Sequence, residues 1–505
     1  VPNALRKLLS LVSLLALVVP GTVMTVAYAA ERPNIVFILA DDLEAGDLRN
    51  FPNIHNLLVR GGTGFNQFFT TNSWCCPSRA SILRSQYVHS HGVLTNTAPE
   101  GGFTRFHLSA LERSTIGTWM QSAGYRTGLM GKYLNHYPGG AAEPTYVPPG
   151  WNEWDVPVRN LYGEYDYTLN ENGVLRAYGS LPHDYLTDVL SQKARAFVSQ
   201  PGGDPFFLYL APVAPHNPAN HALRHSAAFA DAVAPRPPSF NRQDVADEPL
   251  WLRSLPLLGP RAIEKLDERH RRRLRAMLGV DDMVGALVET LRTSGKLDDT
   301  YIFFGSDNGF HLGQHRLAQG KTTPFDESIR VPLLVRGPGV RPGHVAGDLA
   351  ATVDLAPTFA EIAGTRPPDF AEGRSLLPIL RGTTPPSWRR NVLLEFNRPT
   401  DPSSARQTPV PPYQGMRTER HTFVRYATGE YQLYDLAADP YQLRNLAARV
   451  PFPVIAEFER QLDALVSCAG AGCRSADSVT PPALPAIPVP PVAPVSPTAP
   501  VVPTP

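Results

Sequence analysis

An excess of charge of either sign is what this sequence most conspicuously lacks. Across 505 residues, 47 Lys and Arg stand against 46 Asp and Glu, leaving a formal net charge of +1. That balance offers no polyanion-binding coat, so no nucleic-acid partner is expected. Cysteine is also scarce. Four residues cannot staple a chain of this length, which excludes a disulfide-built scaffold. Stability must come from burial, and a 43% share of hydrophobic residues is enough for a large core. The length allows two or three domains. Proline is the excess, with 52 residues and a concentration at the C-terminus.

Both ends of the chain read as something other than core. Arg6 and Lys7 precede an apolar run from Leu8 to Val19, followed by Pro20-Gly21 and the small-x-small triplet Ala27-Tyr28-Ala29. That order is that of a secretory signal peptide, assigned to residues 1–29. The run from Leu8 to Ala30 is long enough for an anchor, but Pro20-Gly21 would interrupt the helix. The expectation is a protein secreted or exported to the envelope or periplasm, with no stable membrane span after cleavage. At the other end the chain is proline-rich and uncharged from Thr480, and residues 474–505 are expected to form a disordered, polyproline-like tail. Cys468 and Cys473 lie just before it with no His beside them, so a small-loop disulfide is expected ahead of a metal site.

Between the ends, four short apolar runs read as strands buried on both faces: Asn34 to Leu39, Tyr125 to Met130, Phe206 to Leu210 and Tyr301 to Phe304. Helical patterns cover Thr115 to Ala123, stopped by Gly124, and Ile263 to Leu291, stopped by Gly295. Alternating strands and helices imply an α/β sheet. Each of the four strands ends in polar residues: Asp41-Asp42, Lys132, His216 and Asp307-Asn308. Open α/β sheets bind ligands at that edge, so one site built from distant segments is expected.

The most specific segment is Ser73-Trp74-Cys75-Cys76-Pro77-Ser78-Arg79-Ala80-Ser81-Ile82-Leu83. Pro77 suits the first turn of a helix running through Leu83. Cys75 then sits at a helix N-terminus, where unpaired N–H groups favour an anion, and Arg79 lies one turn on. Without further context, a buried or disulfide-bonded cysteine pair would be an alternative reading. The Cys-x-Pro-Ser-Arg pattern resembles the signature of type I sulfatases, and the resemblance extends from about Pro33 to Leu465. Gly124-Tyr125-Arg126-Thr127 through Gly131-Lys132, Ser306-Asp307-Asn308-Gly309, and Lys321 with Phe325-Asp326-Glu327 resemble further motifs of that family in the same order. Cys75-Cys76, Gly131-Lys132-Tyr133-Leu134-Asn135 and Ala214-Pro215-His216 make it most similar to N-acetylglucosamine-6-sulfatases and heparan 6-O-endosulfatases. The chain departs from the pattern in two places. Arg84-Ser85 stands where the family usually has Thr-Gly, and Leu134 stands where many members have a catalytic His two residues after the Lys.

The resemblance implies an alkaline-phosphatase-like α/β fold. A large central mixed sheet flanked by helices would occupy residues 33–385, and a smaller α+β subdomain with an antiparallel sheet residues 386–466. It implies conversion of Cys75 to formylglycine by a separate formylglycine-generating enzyme, with the hydrated aldehyde as nucleophile. Asp41, Asp42, Asp307 and Asn308, with residue 75, would hold a metal. Oxygen donors suit a hard cation, and the family favours Ca²⁺, with Mg²⁺ the alternative. Arg79, Lys132 and Lys321 would bind the sulfate, and His216 would protonate the leaving oxygen. His136 is a further catalytic candidate off the family's register, and His311 and His315 could supply or support a missing function. His89 and His91 read as supporting or structural residues. Arg271, Arg272, Arg273 and Arg275 read as a solvated helix face or an exosite for sulfated polysaccharide. The implied substrate is a sulfated amino sugar or glycosaminoglycan. Rival readings are an aryl sulfatase, a phosphodiesterase or phosphonate hydrolase of the same fold, or an envelope protein that binds sulfated glycans without turnover.

Overall fold

The computed structural model describes residues 32–46, 48–400 and 408–485. The expected signal segment and the tail beyond residue 485 lie outside the described residues. The core is a mixed sheet of ten strands. In chain order they are β1 (Asn34–Ala40), β2 (Thr63–Phe65), β4 (Arg126–Gly131), β5 (Glu153–Arg159), β6 (Thr168–Glu171), β7 (Val174–Ala177), β8 (Phe206–Ala211), β9 (Thr300–Ser306), β10 (Leu333–Arg336) and β11 (His344–Ala346). Two short strands, β3 (Phe68–Phe69) and β12 (Ala350–Ala351), pair separately. The spatial order is β11-β2-β10-β9-β1-β8-β4-β5-β6-β7. The central five strands, β9 to β5, run parallel, and antiparallel strands extend both sides. Parallel neighbours end at the same edge, so the polar residues after β9, β1, β8 and β4 are delivered side by side.

Strand alternation explains the layers. Ile35, Phe37 and Leu39 face one side with Phe207, Tyr209 and Phe303. Helices α1 (Cys75–Arg84), α2 (Ile116–Ser122) and α5 (Leu355–Ile362) cover that side. Val36, Ile38 and Ala40 face the other with Leu208, Leu210 and Phe304, beneath α3 (Leu186–Ser199) and α4 (Pro260–Thr293). Strands buried on both faces must be apolar at every position, which is why these runs do not alternate. The β1 side chains from Ile35 to Ala40 are at most 1% exposed. The second helix starts on the Thr115/Thr118 capping box, satisfying N–H groups that a bare terminus would strand.

Beyond the large sheet, β13 (Asn391–Phe396), β14 (Tyr413–Thr418), β15 (His421–Tyr426) and β16 (Tyr431–Asp435) form an antiparallel meander. Helix α6 (Phe452–Val466) packs on it, with Phe458 stacked on Phe423. The meander shares a core with the segment leading into α1, where Trp74 meets Phe396. Cys468 and Cys473 are disulfide-bonded, whereas Cys75 and Cys76 are free and buried. One expected boundary moves. Residues 474–478, placed at the head of the tail, belong to the fold. Helix α7 (Ala471–Ala476) leads to Asp477, which is fully buried and paired with Arg374 at 2.6 Å. No helix among the described residues is long and apolar enough to cross a membrane.

Candidate active site

The four strand ends meet as expected. The peptide N–H of Asp307 donates to Ala40 O, and that of Asp42 donates to Asp307 Oδ1 at 3.1 Å, lacing the ends of β9 and β1 together. Lys132 N–H donates to Ala211 O, joining β4 to β8. Asp42 has φ +68°, a left-handed conformation held by its neighbours. Helix α1 begins at Cys75 beneath this edge, with Pro77 in its first turn. It is anchored there by Ser78 Oγ donating to Asp307 O at 2.6 Å.

Around the Cys75 sulfur the charged groups interlock. Lys132 Nζ lies 2.6 Å from Asp41 Oδ2, and Arg79 Nε lies 2.8 Å from Asp307 Oδ2. Lys321 Nζ donates to Cys75 Sγ at 2.7 Å and also pairs with Asp42 Oδ1. The thiol lies 3.5 Å from Asp41 Oδ1 and 3.9 Å from Asp42 Oδ1. Asn308 Nδ2 donates to Asp42 Oδ1 at 2.7 Å. His216 Nε2 stands 3.7 Å from Asp42 Oδ2, while its Nδ1 is 2.6 Å from Asn217 O. A carbonyl only accepts, so Nδ1 carries a proton.

Electrostatics follow from burial set against these pairings. Burial alone would raise Asp41, but Lys132, His216, Arg79 and Lys321 outweigh it and hold the carboxyl below its usual range. Asp42 is lowered in the same way, with burial overcome chiefly by Lys321. Asp307 moves the other way, since burial and Asp41 outweigh Arg79. Burial pushes the Cys75 thiol up to about 12 against the pull of Lys132 and Lys321. Burial lowers His216, although Asp41 and Asp42 oppose it. The thiol is therefore neutral, and an unmodified Cys75 is a poor nucleophile here.

Oxygen donors fit a cation. Ligand atoms of Asp41, Asp42, Cys75 and His216 all lie within 4.8 Å of one another. Asn308 Oδ1 is buried and has no hydrogen-bond partner among the described residues. A buried acceptor without a donor is costly, and a hard cation would satisfy it alongside the carboxylates.

Of the residues named from sequence, Asp41, Asp42, Cys75, Arg79, Lys132, His216, Asp307, Asn308 and Lys321 come together. His136 does not. It is exposed, at φ +64°, and lines a neighbouring cavity of about 280 Å³, because the chain turns away after Lys132. His311 donates to or accepts from Thr323 at 2.7 Å, and His315 stacks on Phe325 at 3.6 Å, so both serve the loop that carries Lys321. His89 pairs with Glu395. Ser85, at the family's glycine position, adopts φ +56° nonetheless, with its hydroxyl donating to Val353 O.

Two residues went unread. Arg273, taken for part of a solvated face, is only 3% exposed. Its guanidinium donates to Asp42 O at 2.6 Å and to Pro215 O at 3.2 Å, holding both loops. Arg271, Arg272 and Arg275 bind oxygens of Ala232, Asn220 and Ala228 instead of forming a free basic surface. Tyr162 stacks on His216 with ring centroids 4.1 Å apart. No motif surrounds Tyr162, whereas the Arg273 position was visible only as one charge in a run.

A family model described as Sulfatase matches residues 33–365. The chain belongs to the sulfatase family. A second model, described as N-sulphoglucosamine sulphohydrolase, C-terminal, matches residues 313–467 of this sulfatase. Human N-acetylglucosamine-6-sulfatase is 35% identical to it, over 93% of this chain and 91% of the relative. The extracellular sulfatase SULF-1 homolog of Drosophila melanogaster is 37% identical, over 69% of this chain and 31% of that protein. A solved structure described in complex with its substrate D-glucosamine-2-N,6-O-disulfate superposes with TM-score 0.72 at 25% identity, over 86% of this chain and 97% of that one. The phosphonate monoester hydrolase of Agrobacterium radiobacter shares the fold, with TM-score 0.68 at 22% identity, over 86% of this chain and 96% of that one. Membership carries the activity class: this sulfatase is a sulfuric ester hydrolase.

Proposed function

We propose that this sulfatase removes 6-O-sulfate from N-acetylglucosamine, free or at the end of a glycosaminoglycan, and that it acts after export. The observation that carries the reading is the placement of the Cys75 sulfur between Lys321 and Asp41 at the floor of the charged cluster. A formylglycine made from Cys75 would supply the nucleophile at that point, and a cation, Ca²⁺ or Mg²⁺, would neutralise charge. Asp41, Asp42, Asp307 and Asn308 would hold the cation. A formylglycine-generating enzyme is the implied maturation partner.

The chain's own residues do the rest. Lys132, Lys321 and Arg79 neutralise the sulfate oxygens, and Arg79 keeps one buried nitrogen, Nη2, without a partner among the described residues. Each such donor contributes about 2.7–4 kcal/mol to the transition state. A sugar alkoxide is a poor leaving group, so proton donation is required. His216 is held with Nδ1–H on Asn217 O, so Nε2 is the nitrogen that, once the ring is protonated, gives its proton to the departing oxygen. Burial lowers His216 overall, and Asp41 and Asp42 offset part of that shift.

Two measurements test this reading. Peptide mass spectrometry across residue 75 of protein from its native host is expected to find an aldehyde in place of the thiol. A wholly unmodified thiol would sink the mechanism and favour a glycan-binding role. Matched assays on N-acetylglucosamine 6-sulfate, 4-nitrophenyl sulfate and the corresponding phosphate and phosphonate esters are expected to favour the sugar sulfate. Faster turnover of the phosphorus esters would move the chain to the phosphonate hydrolase reading.

A further inference from the structure

A histidine that must deliver a proton needs a fixed ring plane as well as a fixed tautomer. The contact with Asn217 O sets the tautomer of His216 but leaves the ring free to pivot about that bond. The plane is set from the side. Tyr162 lies almost parallel to the imidazole, at 17°, with centroids 4.1 Å apart. Lys132 Nζ sits over the same tyrosine ring, 5.2 Å from its centroid. One aromatic ring therefore touches both the leaving-group side of the cluster and a sulfate-side cation. Asn135 Nδ2 donates to its hydroxyl at 3.4 Å.

The loop that presents this ring is built to hold still. Asn160 and Glu164 take left-handed conformations on either side, at φ +51° and +61°. Asn adopts such angles readily, whereas Glu164 holds one only where its neighbours enforce it. Here the buried Glu164 accepts from Thr187 N and Oγ1 at 3.1 Å, tying the loop to the start of α3. Asn220 Nδ2 donates to Gly163 O at 2.9 Å, and Arg272 in turn holds Asn220. The family's histidine after the lysine is absent here. Leu134 at that position is 2% exposed and packs in the core beneath the sheet edge.

We infer that Tyr162 is the positioning residue for leaving-group protonation, its ring holding the plane of His216 and its distance from Lys132. The inference rests on the proposed role of His216 as acid. A positioning role predicts a dependence on the leaving group that a general structural role does not. Nitrophenolate departs without a proton, whereas a sugar alkoxide does not.

The test uses the full chain carrying the aldehyde at residue 75, with Ca²⁺ supplied. For Tyr162→Leu, kcat on N-acetylglucosamine 6-sulfate should fall about 10- to 100-fold, part of the effect of a general acid, with KM within about twofold. On 4-nitrophenyl sulfate the same variant should stay within about threefold of wild type. Tyr162→Phe, which keeps the stack, should resemble wild type on both. If the Leu variant does not fold, Tyr162→Met decides in its place. Equal losses on the two esters, or a Phe variant as impaired as the Leu variant, would overturn the inference. His216→Ala separates this from failure of the underlying reading. If His216→Ala shows no leaving-group dependence, the acid assignment falls and this inference with it. If it does and Tyr162→Leu does not, only Tyr162 is misassigned.

Discussion

Two clusters of buried charge stand in the same molecule and are wired differently. At the sheet edge, Asp41, Asp42 and Asp307 face Lys132, Lys321 and Arg79. Where α5 begins and α7 ends, Asp354 and Asp477 face Arg389 and Arg374. The second cluster leans on the main chain: Asp354 accepts from Ala351 N and Arg374 N, and the peptide of Asp477 accepts from Arg390 N and Asn391 N. Among the described residues, the Asp41 and Asp42 carboxylates meet side chains only. Backbone-wired charge fastens segments together. Side-chain-wired charge can rearrange around a substrate, and several cations act on each carboxylate.

The sharpest way to break this contrast is Arg389→Met. It removes the buried side-chain ion pair of Asp354 and leaves Asp477 with Arg374 alone, and should cost about 3–5 kcal/mol of stability, read by denaturant unfolding, with kcat per folded molecule unchanged. Lys132→Met should do the reverse. Because His216, Arg79 and Lys321 also act on Asp41, melting should shift less than for Arg389→Met, while kcat falls by about 10²–10³, or 2.7–4 kcal/mol. Third, Ca²⁺ at a hundredfold excess over its Kd should stabilise the wild type by about 2.7 kcal/mol. A chelator should remove that gain, and Asp42→Asn should lack most of it; an unchanged melt with chelator would count against the cation site.

The smallest effect concerns His89, outside both clusters. Burial would lower this histidine, but Glu395 prevails and raises it to about 9. A raised folded value means the pair stabilises fully below the unfolded value of about 6.5 and is lost as pH rises through about 9. His89→Gln should therefore cost on the order of 1 kcal/mol at pH 6, allowing for partial exposure, and nothing at pH 10. Unfolding curves at the two pH values check it.

Much of the site was legible because its residues follow apolar strands that have no other reading. Asn34–Ala40, Phe206–Ala211 and Thr300–Ser306 form where continuous hydrophobic runs stand, and the polar residues after them share one edge by parallel topology. Cys75 and Arg79 were legible through helix spacing and family pattern. Arg273 was not, because an arginine among arginines gives no sign of which one points inward; burial by Phe310 and the Asp42 turn decided that. Tyr162 belongs to a loop whose left-handed residues leave no periodic trace. His136 follows Lys132 closely in the chain but lies outside the site, because nearness along the chain is not nearness in space. The join of α7 to the fold was hidden for a related reason: Asp477 finds its partners about 90 to 100 residues earlier.

The burial of Cys75 sets a clock. Its side chain is 1% exposed, and the lysine that touches its sulfur lies 246 residues further along. At about 5–20 residues per second, roughly 12–50 s of synthesis separate the two. Once Lys321 and the strand ends have closed over it, no second protein can reach that sulfur. On the proposed reading, maturation at residue 75 would compete with folding itself, and the speed of closure would govern the fraction of molecules that become enzymes.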